Sequence, residues 1–211
     1  MKLKIISAVL SLMTVAALFS GCGSENSEIS ESSKSEISES SAVEDITENT
    51  AKPVLSLSKT EVSAGETAEI TLSVNGADGL WSMCGLHITY PKELVCEMDN
   101  EEERTIKYKL GDASENSMGA VGMLWADGLP DELEKNHLGC FFFTEMFSGN
   151  QGYDGEIAKF YLKVPDNAES GTVYPISYYF QETDLFTDSM QNEEMQEYAF
   201  SNAVDGCITV K

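Results

Sequence analysis

The chain has few of the residues on which most enzymes depend. Its 211 residues include two histidines, and neither an H-E-x-x-H sequence nor a G-x-S-x-G nucleophile elbow occurs. The five cysteines form no C-x-x-C pair and no cluster with histidine, which excludes the usual zinc motifs. We therefore expect no catalytic residue, no metal site and no cofactor. Paired carboxylates for glycoside hydrolysis are the remaining enzymatic alternative.

Positive charge is also scarce. Thirteen Lys and Arg stand against 36 Asp and Glu, for a formal net charge of -23. Residues 53–211 contribute nine of these cations and 28 of the acids. Such a surface repels nucleic acid and anionic lipid, so neither is an expected partner. It suits a basic partner, although acidity also serves solubility alone.

Long apolar runs are limited to residues 5–19, which follow Lys2 and Lys4. The run ends in L-F-S-G-C, which resembles the lipobox of bacterial lipoproteins. That resemblance implies a signal peptide at residues 1–21 and a lipid on Cys22, which would hold the protein on the extracellular face of the cell membrane. An ordinary secretory signal or a short membrane anchor is the alternative. The run is short for a bilayer-spanning helix.

Residues 22–52 contain little that could form a core. They are rich in Ser and Glu, with an S-E-I-S-E-S repeat at 27–32 and 35–40. Low hydrophobicity of this kind predicts a disordered tether. As a flexible coil it would have a mean reach of about 30 Å.

The stretch W-S-M-C-G-L-H-I-T-Y-P-K-E-L, residues 81–94, shows the architecture of the ordered part. Cys84, Leu86, Ile88 and Tyr90 alternate with a second set of residues, and a period of two predicts a strand with one buried face. The second set is uncharged and includes a Trp and a Met. Either another layer covers this side, or it is reserved for a partner.

Short strands separated by turn residues occupy most of residues 53–211. The predicted strands are 54–58, 68–74, 81–90, 94–98, 138–143, 157–164, 172–180 and 205–210, with 104–110 and 119–126 as further candidates. Only 130–137 has helical character. About nine strands with one short helical insertion predict an all-β, antiparallel β-sandwich with jelly-roll topology.

The order of these elements resembles a cohesin domain, the receptor module that binds dockerins in cellulosome assembly. The resemblance covers residues 53–211. Four stretches carry it: V-S-A-G-E-T-A-E-I-T-L-S-V at 62–74, C-G-L-H-I-T-Y-P-K-E-L at 84–94, G-E-I-A-K-F-Y-L-K-V at 155–164 with A-E-S-G-T-V-Y-P-I at 168–176, and D-G-C-I-T-V at 205–210.

The resemblance implies a binding face on the sheet that contains the family's third, fifth, sixth and eighth strands. The residues it places there are Trp81, Met83, His87, Thr89, Cys140, Phe142, Thr144, Glu145, Pro175, Ser177 and Tyr179. Phe141 and Phe143 would point inward, and Pro175 would be tolerated because its strand lies at a sheet edge. The chain lacks the D-x-[DN]-x-[DN]-G pattern, so the calcium would belong to the dockerin.

Several of these residues have a simpler interpretation. Trp81 would lean onto its own loops, Phe142 would be covered by the insertion at 119–137, and His87 would be an ordinary surface histidine. Glu101–Glu103 and Glu193–Glu194 would be solvated loop charges. The family often has polar residues where this chain has Met83 and Gly85, which indicates a divergent subtype.

The resulting function hypothesis is a lipid-anchored receptor that holds a dockerin-bearing protein at the cell surface. A carbohydrate-binding module is the alternative, with Trp81, Trp125 and Tyr153 as stacking platforms. A structural adhesin or a solute-receptor lipoprotein is a third. We expect free thiols at the remaining cysteines, with three disulfide pairings as the alternative. These cysteines are Cys84, Cys96, Cys140 and Cys207.

Overall fold

The computed structural model describes residues 51–211. Fourteen strands are found there: Val54–Leu57 (β1), Lys59–Val62 (β2), Thr67–Asn75 (β3), Met83–Pro91 (β4), Val95–Cys96 (β5), Met98–Asn100 (β6), Thr105–Ile106 (β7), Tyr108–Leu110 (β8), Gly119–Trp125 (β9), Leu138–Met146 (β10), Gly155–Lys163 (β11), Val173–Tyr178 (β12), Leu185–Thr187 (β13) and Gly206–Val210 (β14). Two helices, Asp131–Lys135 (α1) and Glu193–Ser201 (α2), and a 3-10 turn at Asp112–Ser114 join them. The predicted signal peptide, Cys22 and most of the predicted tether lie outside the described residues.

The strands form two sheets. One has the order β1-β3-β11-β5, with β8 also paired to β11. The other has the order β2-β14-β12-β4-β10-β9-β7-β6, with β13 paired to β4. Every pairing is antiparallel except that of β14 with β2. The predicted β-sandwich is therefore confirmed, with more and shorter strands than the sequence indicated.

Aromatic rings fill the space between the sheets. The ring centroid of Phe160 on β11 lies 4.8 Å from that of Phe141 and 5.2 Å from that of Phe143, both on β10. All three side chains are buried. Because alternate residues of a strand point to opposite faces, this places Phe142 on the outer side of the larger sheet. The core thus fixes which side of β10 is available to solvent.

Helix α2 corrects one sequence prediction. Glu193 and Glu194 form its first turn rather than part of a loop. The Asn192 side chain caps the helix by accepting a hydrogen bond from the Met195 N–H, and the two acids lie at the positive end of the helix dipole. Met195 and Ala199 are buried against the core. Both glutamates are exposed, as predicted.

Candidate protein-binding face

Three strands bring the outward side chains of the larger sheet into one row. In the strand register, Phe142 on β10 lies opposite His87 on β4 and, on its other side, opposite Met123 on β9. Directly opposite side chains in an antiparallel pair are about 5 Å apart. The row His87–Phe142–Met123 therefore forms a continuous surface across β4, β10 and β9.

A groove of about 400 Å³ lies on this surface. We call it the outer groove, and its lining residues are His87, Met123, Leu124, Trp125, Phe142 and Thr183. Met123 keeps 45 % of its surface exposed, and Phe142 is half-buried. Apart from the imidazole, no ionisable side chain lines the groove. The groove can therefore take an apolar side chain without desolvating a carboxylate or an ammonium group.

His87 lies at the centre of a small aromatic cluster. Its ring centroid is 4.8 Å from that of Phe142 and 5.1 Å from that of Trp125. Trp125 is opposite Cys140, so its indole must cross β10 to reach the imidazole. The small Cys140 side chain leaves room for this. Burial raises the pKa of the Cys140 thiol to about 12, which keeps it neutral beside the indole.

One wall of the outer groove comes from an interruption beside β4. β12 pairs with β4 only at Thr89 and Ile88, and β13 resumes the pairing at Gly85. Between them the Tyr179 N–H donates to the His87 carbonyl, and residues 180–184 then leave the sheet. We call residues 180–184 the detour. It carries Thr183 to the rim of the groove.

Asp184 replaces the strand partner that His87 loses at the detour. Its Oδ2 accepts hydrogen bonds from the His87 N–H at 3.2 Å and from the Gln181 N–H at 3.1 Å. Its Oδ1 is 2.6 Å from His87 Nδ1, and a carboxylate can only accept, so Nδ1 carries the proton. The Asp184 side chain is fully buried. One carboxylate thus fixes the detour, the backbone of β4 and the orientation of the imidazole.

The Phe142 ring lies close to the backbone of β4 at Gly85, which has no side chain. A Cβ at Gly85 would lie 3.3 Å from the end of that ring and 3.5 Å from the Leu185 side chain. The absence of a side chain on β4 therefore lets Phe142 and Leu185 cover the strand. Met83 and Gly85 stand where the family often has polar residues, so this part of the face is apolar.

The prediction that Trp81 points outward is wrong. Trp81 is fully buried, and its ring centroid lies 4.9 Å from that of Phe147 and 5.0 Å from that of Phe186. Its Nε1–H donates to the Tyr153 carbonyl. Regular pairing of β4 begins only at Met83, so strand alternation does not extend to Trp81.

The prediction that Glu145 lies at a binding edge is also wrong. Glu145 shares the inward side of β10 with Phe141 and Phe143 and is only 2 % exposed. Burial raises the pKa of its carboxyl from 4.5 to about 7, although the Ser114 hydroxyl donates to Oε1 at 2.8 Å. Glu145 is part of the interior and cannot meet a partner.

Two further predicted contact residues lie on the outward side but are covered. Thr89 is 4 % exposed and donates from its hydroxyl to the Ser177 carbonyl, and Cys140 is fully buried. Met83, Thr144, Ser177 and Tyr179 are half-buried. Thr89 and Cys140 can position the groove but cannot reach a partner.

Pro175 is exposed, but its strand is not at a sheet edge, because β12 lies between β14 and β4. The missing N–H is tolerated for another reason. The Cys207 N–H, opposite Pro175, donates to the Ser58 carbonyl on β2. Pro175 and Cys207 therefore form a pair that exchanges no backbone hydrogen bond.

Sequence reasoning missed the contribution of β9. Val121 and Met123 are each 45 % exposed, and Met146 at the end of β10 is 53 % exposed. The sequence at 119–126 suggested a strand but not its register, so its outward residues stayed undefined. Nor did 119–137 cover Phe142, because β9 lies beside β10 rather than above it.

The aromatic platforms of the carbohydrate-binding alternative do not form one surface. Trp81 is inside the core, and Trp125 is half-buried in the outer groove. Tyr153 is exposed in the loop after β10, where its hydroxyl accepts from the Asn116 side chain. A sugar chain needs rings on one accessible face, and Trp81 cannot contribute to it.

Residues 51–211 also contain four cysteines, two histidines and two helices. The four cysteines of residues 51–211 are free thiols. Within the same residues, no three His, Cys, Asp or Glu side chains are grouped so that they could hold a metal ion. The helices found there are too short or too polar to cross a membrane.

The sequence matches no protein-family model and none of the curated proteins. Solved structures do match. A type III cohesin module from a cellulosomal cell-surface anchoring scaffoldin of Ruminococcus flavefaciens superposes with a TM-score of 0.63 and 27 % identity, over 77 % of this chain and 89 % of that one. Residues 51–211 have the fold of a cohesin domain.

More distant cohesins share the fold. The sixth cohesin of scaffoldin B from Acetivibrio cellulolyticus, solved with a mutant Cel5 dockerin, has a TM-score of 0.51 and 17 % identity over 75 % of this chain and 99 % of that one. A non-cellulosomal cohesin from the archaeon Archaeoglobus fulgidus has a TM-score of 0.51 and 14 % identity over 76 % and 92 %. The cohesin fold thus occurs in proteins within and outside cellulosomes.

Proposed function

We propose that this chain is a cell-surface receptor that binds a dockerin-bearing protein through the outer groove and performs no chemistry of its own. The observation that carries the proposal is an exposed apolar groove on a broad sheet face of a cohesin domain. The similar Acetivibrio module was solved in complex with a dockerin, and the Ruminococcus module comes from a surface-anchoring scaffoldin.

The contact surface combines predicted residues with those the structure adds. His87, Phe142, Met123 and Trp125 form its centre. Met83, Thr144 and Val121 flank them on the same outward side. Pro175, Ser177 and Tyr179 extend the face along β12 as far as the start of the detour. Large apolar side chains of this kind supply most of the energy in protein interfaces.

Binding to dockerin modules tests this proposal directly. A panel of purified dockerins is titrated against the wild-type domain, Phe142→Ala and Val95→Ala. Val95 is a suitable control because it is 62 % exposed on β5, which belongs to the smaller sheet. At least one dockerin should bind wild type and Val95→Ala alike, and Phe142→Ala should weaken it about thirtyfold. Excess EDTA should abolish binding, because the calcium is expected in the dockerin.

Two results would overturn the proposal. One is the absence of binding by every dockerin in the panel. The other is retardation of the wild-type domain in cellulose or xylan affinity gels, lost on replacing Trp125, which would favour a carbohydrate-binding module.

The membrane anchor is proposed separately. Cys22 in the lipobox-like sequence would carry the lipid, with residues 22–52 as the tether to the cohesin domain. In cell fractionation, Cys22→Ala should move the protein from the membrane to the soluble fraction, and dockerin affinity should not change. Retention of the variant in the membrane fraction would reject Cys22 as the anchor.

A further inference from the structure

A second cavity lies at one end of the sandwich, where the chain crosses from β4 of the larger sheet to β5 of the smaller one. Its volume is about 430 Å³, within the usual range of small-molecule sites. We call it the end cavity. Most of its wall is apolar, with side chains from Leu94, Val95, Met98, Leu124 and Ala126.

A smaller cavity of about 250 Å³ continues the end cavity. The two share four lining residues: Tyr90, Leu94, Leu124 and Ala126. The continuation lies where β9 and β10 separate, because their pairing ends at Trp125 and Cys140. The end cavity therefore has depth enough for an aromatic ring.

Tyr90 provides a polar group inside this apolar space. The residue is 5 % exposed, and its ring lies over Gly139, where a Cβ would be 3.0 Å from the hydroxyl oxygen. Within residues 51–211 the hydroxyl has no hydrogen-bond partner. Burial raises the pKa of Tyr90, so the hydroxyl stays neutral and can donate. A buried polar group of this kind normally has a partner, and a ligand in the cavity can supply it.

The mouth of the end cavity carries one acid and one base. Glu101 and Arg104 both line it, and both are exposed in the turn between β6 and β7. Among residues 51–211, Glu101 has no ion pair, and Arg104 is paired with Asp127 at 2.7 Å. That pair is solvent-exposed on both sides, so it adds little stability and leaves other guanidinium N–H groups free.

These charges discriminate between ligand classes. An apolar carboxylic acid would meet Glu101 and Asp127 at the mouth, and an apolar amine would meet Arg104. A zwitterion can satisfy both Glu101 and Arg104, and it carries no net charge for this acidic domain to repel.

We infer that the end cavity binds a free α-amino acid with a large apolar side chain. The ammonium group pairs with Glu101, the carboxylate with Arg104, and the side chain enters the cavity toward Tyr90. The inference does not depend on the proposed function, because none of these three residues contributes to the outer groove.

Three probes with the same aromatic ring test the ligand class. They are L-phenylalanine, 3-phenylpropionate, which lacks the ammonium group, and phenethylamine, which lacks the carboxylate. In titration calorimetry of the full-length protein, L-phenylalanine should bind with a Kd below about 1 mM, and the other two at least about tenfold more weakly. Absence of L-phenylalanine binding, or equal binding of either analogue, would overturn the inference.

Substitutions at the mouth test the location. Glu101→Gln and Arg104→Asn should each weaken L-phenylalanine binding about tenfold. Asn is chosen because Arg104 has a φ of 58°, which Asn tolerates better than most residues. Lys59→Asn is the control, since it removes an exposed cation on β2, at the other edge of the larger sheet. An equal loss in Lys59→Asn would contradict a specific contact with Arg104.

Asp127→Asn should have the opposite effect. It releases the Arg104 guanidinium from its ion pair, so L-phenylalanine should bind severalfold more tightly. If the ion pair served only to hold the mouth in shape, its loss would weaken binding instead. Weaker binding would therefore overturn the role given to Arg104.

The Tyr90 hydroxyl is tested with a ligand that can reach it. L-Tyrosine should bind severalfold more tightly than L-phenylalanine, because its hydroxyl can pair with that of Tyr90. Tyr90→Phe should remove this advantage and leave L-phenylalanine binding unchanged. An advantage that persists in Tyr90→Phe would overturn the placement of the side chain.

This inference and the proposed function fail separately. Phe142→Ala should leave L-phenylalanine affinity unchanged, and Arg104→Asn should leave dockerin affinity unchanged. Dockerin binding without amino-acid binding would reject only the end cavity as a site, and the reverse result would reject only the dockerin proposal. Loss of L-phenylalanine binding in Phe142→Ala would assign the amino acid to the outer groove and overturn the inference.

Discussion

The Asp184 carboxylate takes the place of a neighbouring strand for His87. It accepts from the His87 backbone N–H at 3.2 Å and lies 2.6 Å from Nδ1 of the same residue. Without it, the N–H of a central strand would have no partner at the point where β12 leaves the sheet. The groove wall is thus built on one buried acid.

Replacement of Asp184 should therefore cost more than a typical surface substitution. Asp184→Ala leaves the N–H groups of His87 and Gln181 without an acceptor, and we expect a loss of about 2–4 kcal/mol of unfolding free energy. Asp184→Asn keeps one side-chain oxygen and should lose less. Urea unfolding of both variants measures the difference. If Asp184→Ala unfolds like the wild type, the carboxylate does not hold the detour.

Adjacent phenylalanines on β10 should respond in opposite ways. Phe141→Ala leaves a cavity against Phe160 and should cost about 3–5 kcal/mol of stability. Phe142→Ala removes a half-buried ring from the outer face, so it should cost far less stability while greatly weakening partner binding. Denaturant melts and titration calorimetry separate the two effects. Equal destabilisation would mean that the Phe142 ring is a core group.

Glu145 should make stability depend on pH. Its pKa is about 7 in the folded domain and near 4.5 when unfolded, so the folded state binds more protons between these values. Stability therefore falls as pH rises from about 4.5 through 7, by up to roughly 3 kcal/mol. Glu145→Gln should gain on the wild type by about that amount between pH 4.5 and pH 8.

Melts of Glu145→Gln across this pH range measure the effect, with Glu115→Gln as the control. Glu115 is exposed next to the 3-10 turn, so its replacement should shift stability equally at both ends of the range. A pH-independent difference between Glu145→Gln and the wild type would show that the carboxyl does not titrate in the interior.

Gly152 should not tolerate even a methyl group. A Cβ there would lie 2.1 Å from the Trp81 ring, so Gly152→Ala must displace a fully buried indole. We expect a loss of about 3 kcal/mol and a changed near-ultraviolet circular dichroism signal. Gly149→Ala meets no atom within 4 Å and should change stability by less than about 0.5 kcal/mol. Similar melts for the two variants would contradict this packing.

The sequence predicted the sandwich and the side of β10 on which Phe142 lies, because both follow from local alternation. It could not predict Asp184, which is 97 residues from His87 and meets it only through the topology. The prediction for Trp81 was wrong because regular alternation starts only at Met83, where β4 begins. For Glu145, alternation along β10 indicated the interior, whereas the family resemblance indicated a binding edge, and the structure agrees with the alternation.

The sequence analysis also missed helix α2 and the outward residues of β9, for similar reasons. Asn192, Glu193 and Glu194 are a helix-start signal, but a polar nine-residue helix with few apolar positions gives weak periodicity. To place Val121 and Met123 on the outer face, one must know the register of β9 against β10. The local sequence around the two residues does not determine that register. Local sequence patterns therefore predicted most of the strands. The groove depends on pairing between strands that are distant in sequence, so those patterns could not predict it.

The detour also separates recognition from folding in a way that protein engineers can use. Residues 181–183 lie outside the paired segments of β12 and β13, and the β4 backbone depends on them through Asp184. Phe180 is kept, because its ring stacks on that of Phe200 at a centroid distance of 4.1 Å. Residues 181–183 are therefore the variable part. Their sequence and length can therefore be varied as a cassette that ends in Asp184, with the sandwich as an unchanged scaffold. Libraries built at this position would explore new partners at little cost in expression or thermal stability.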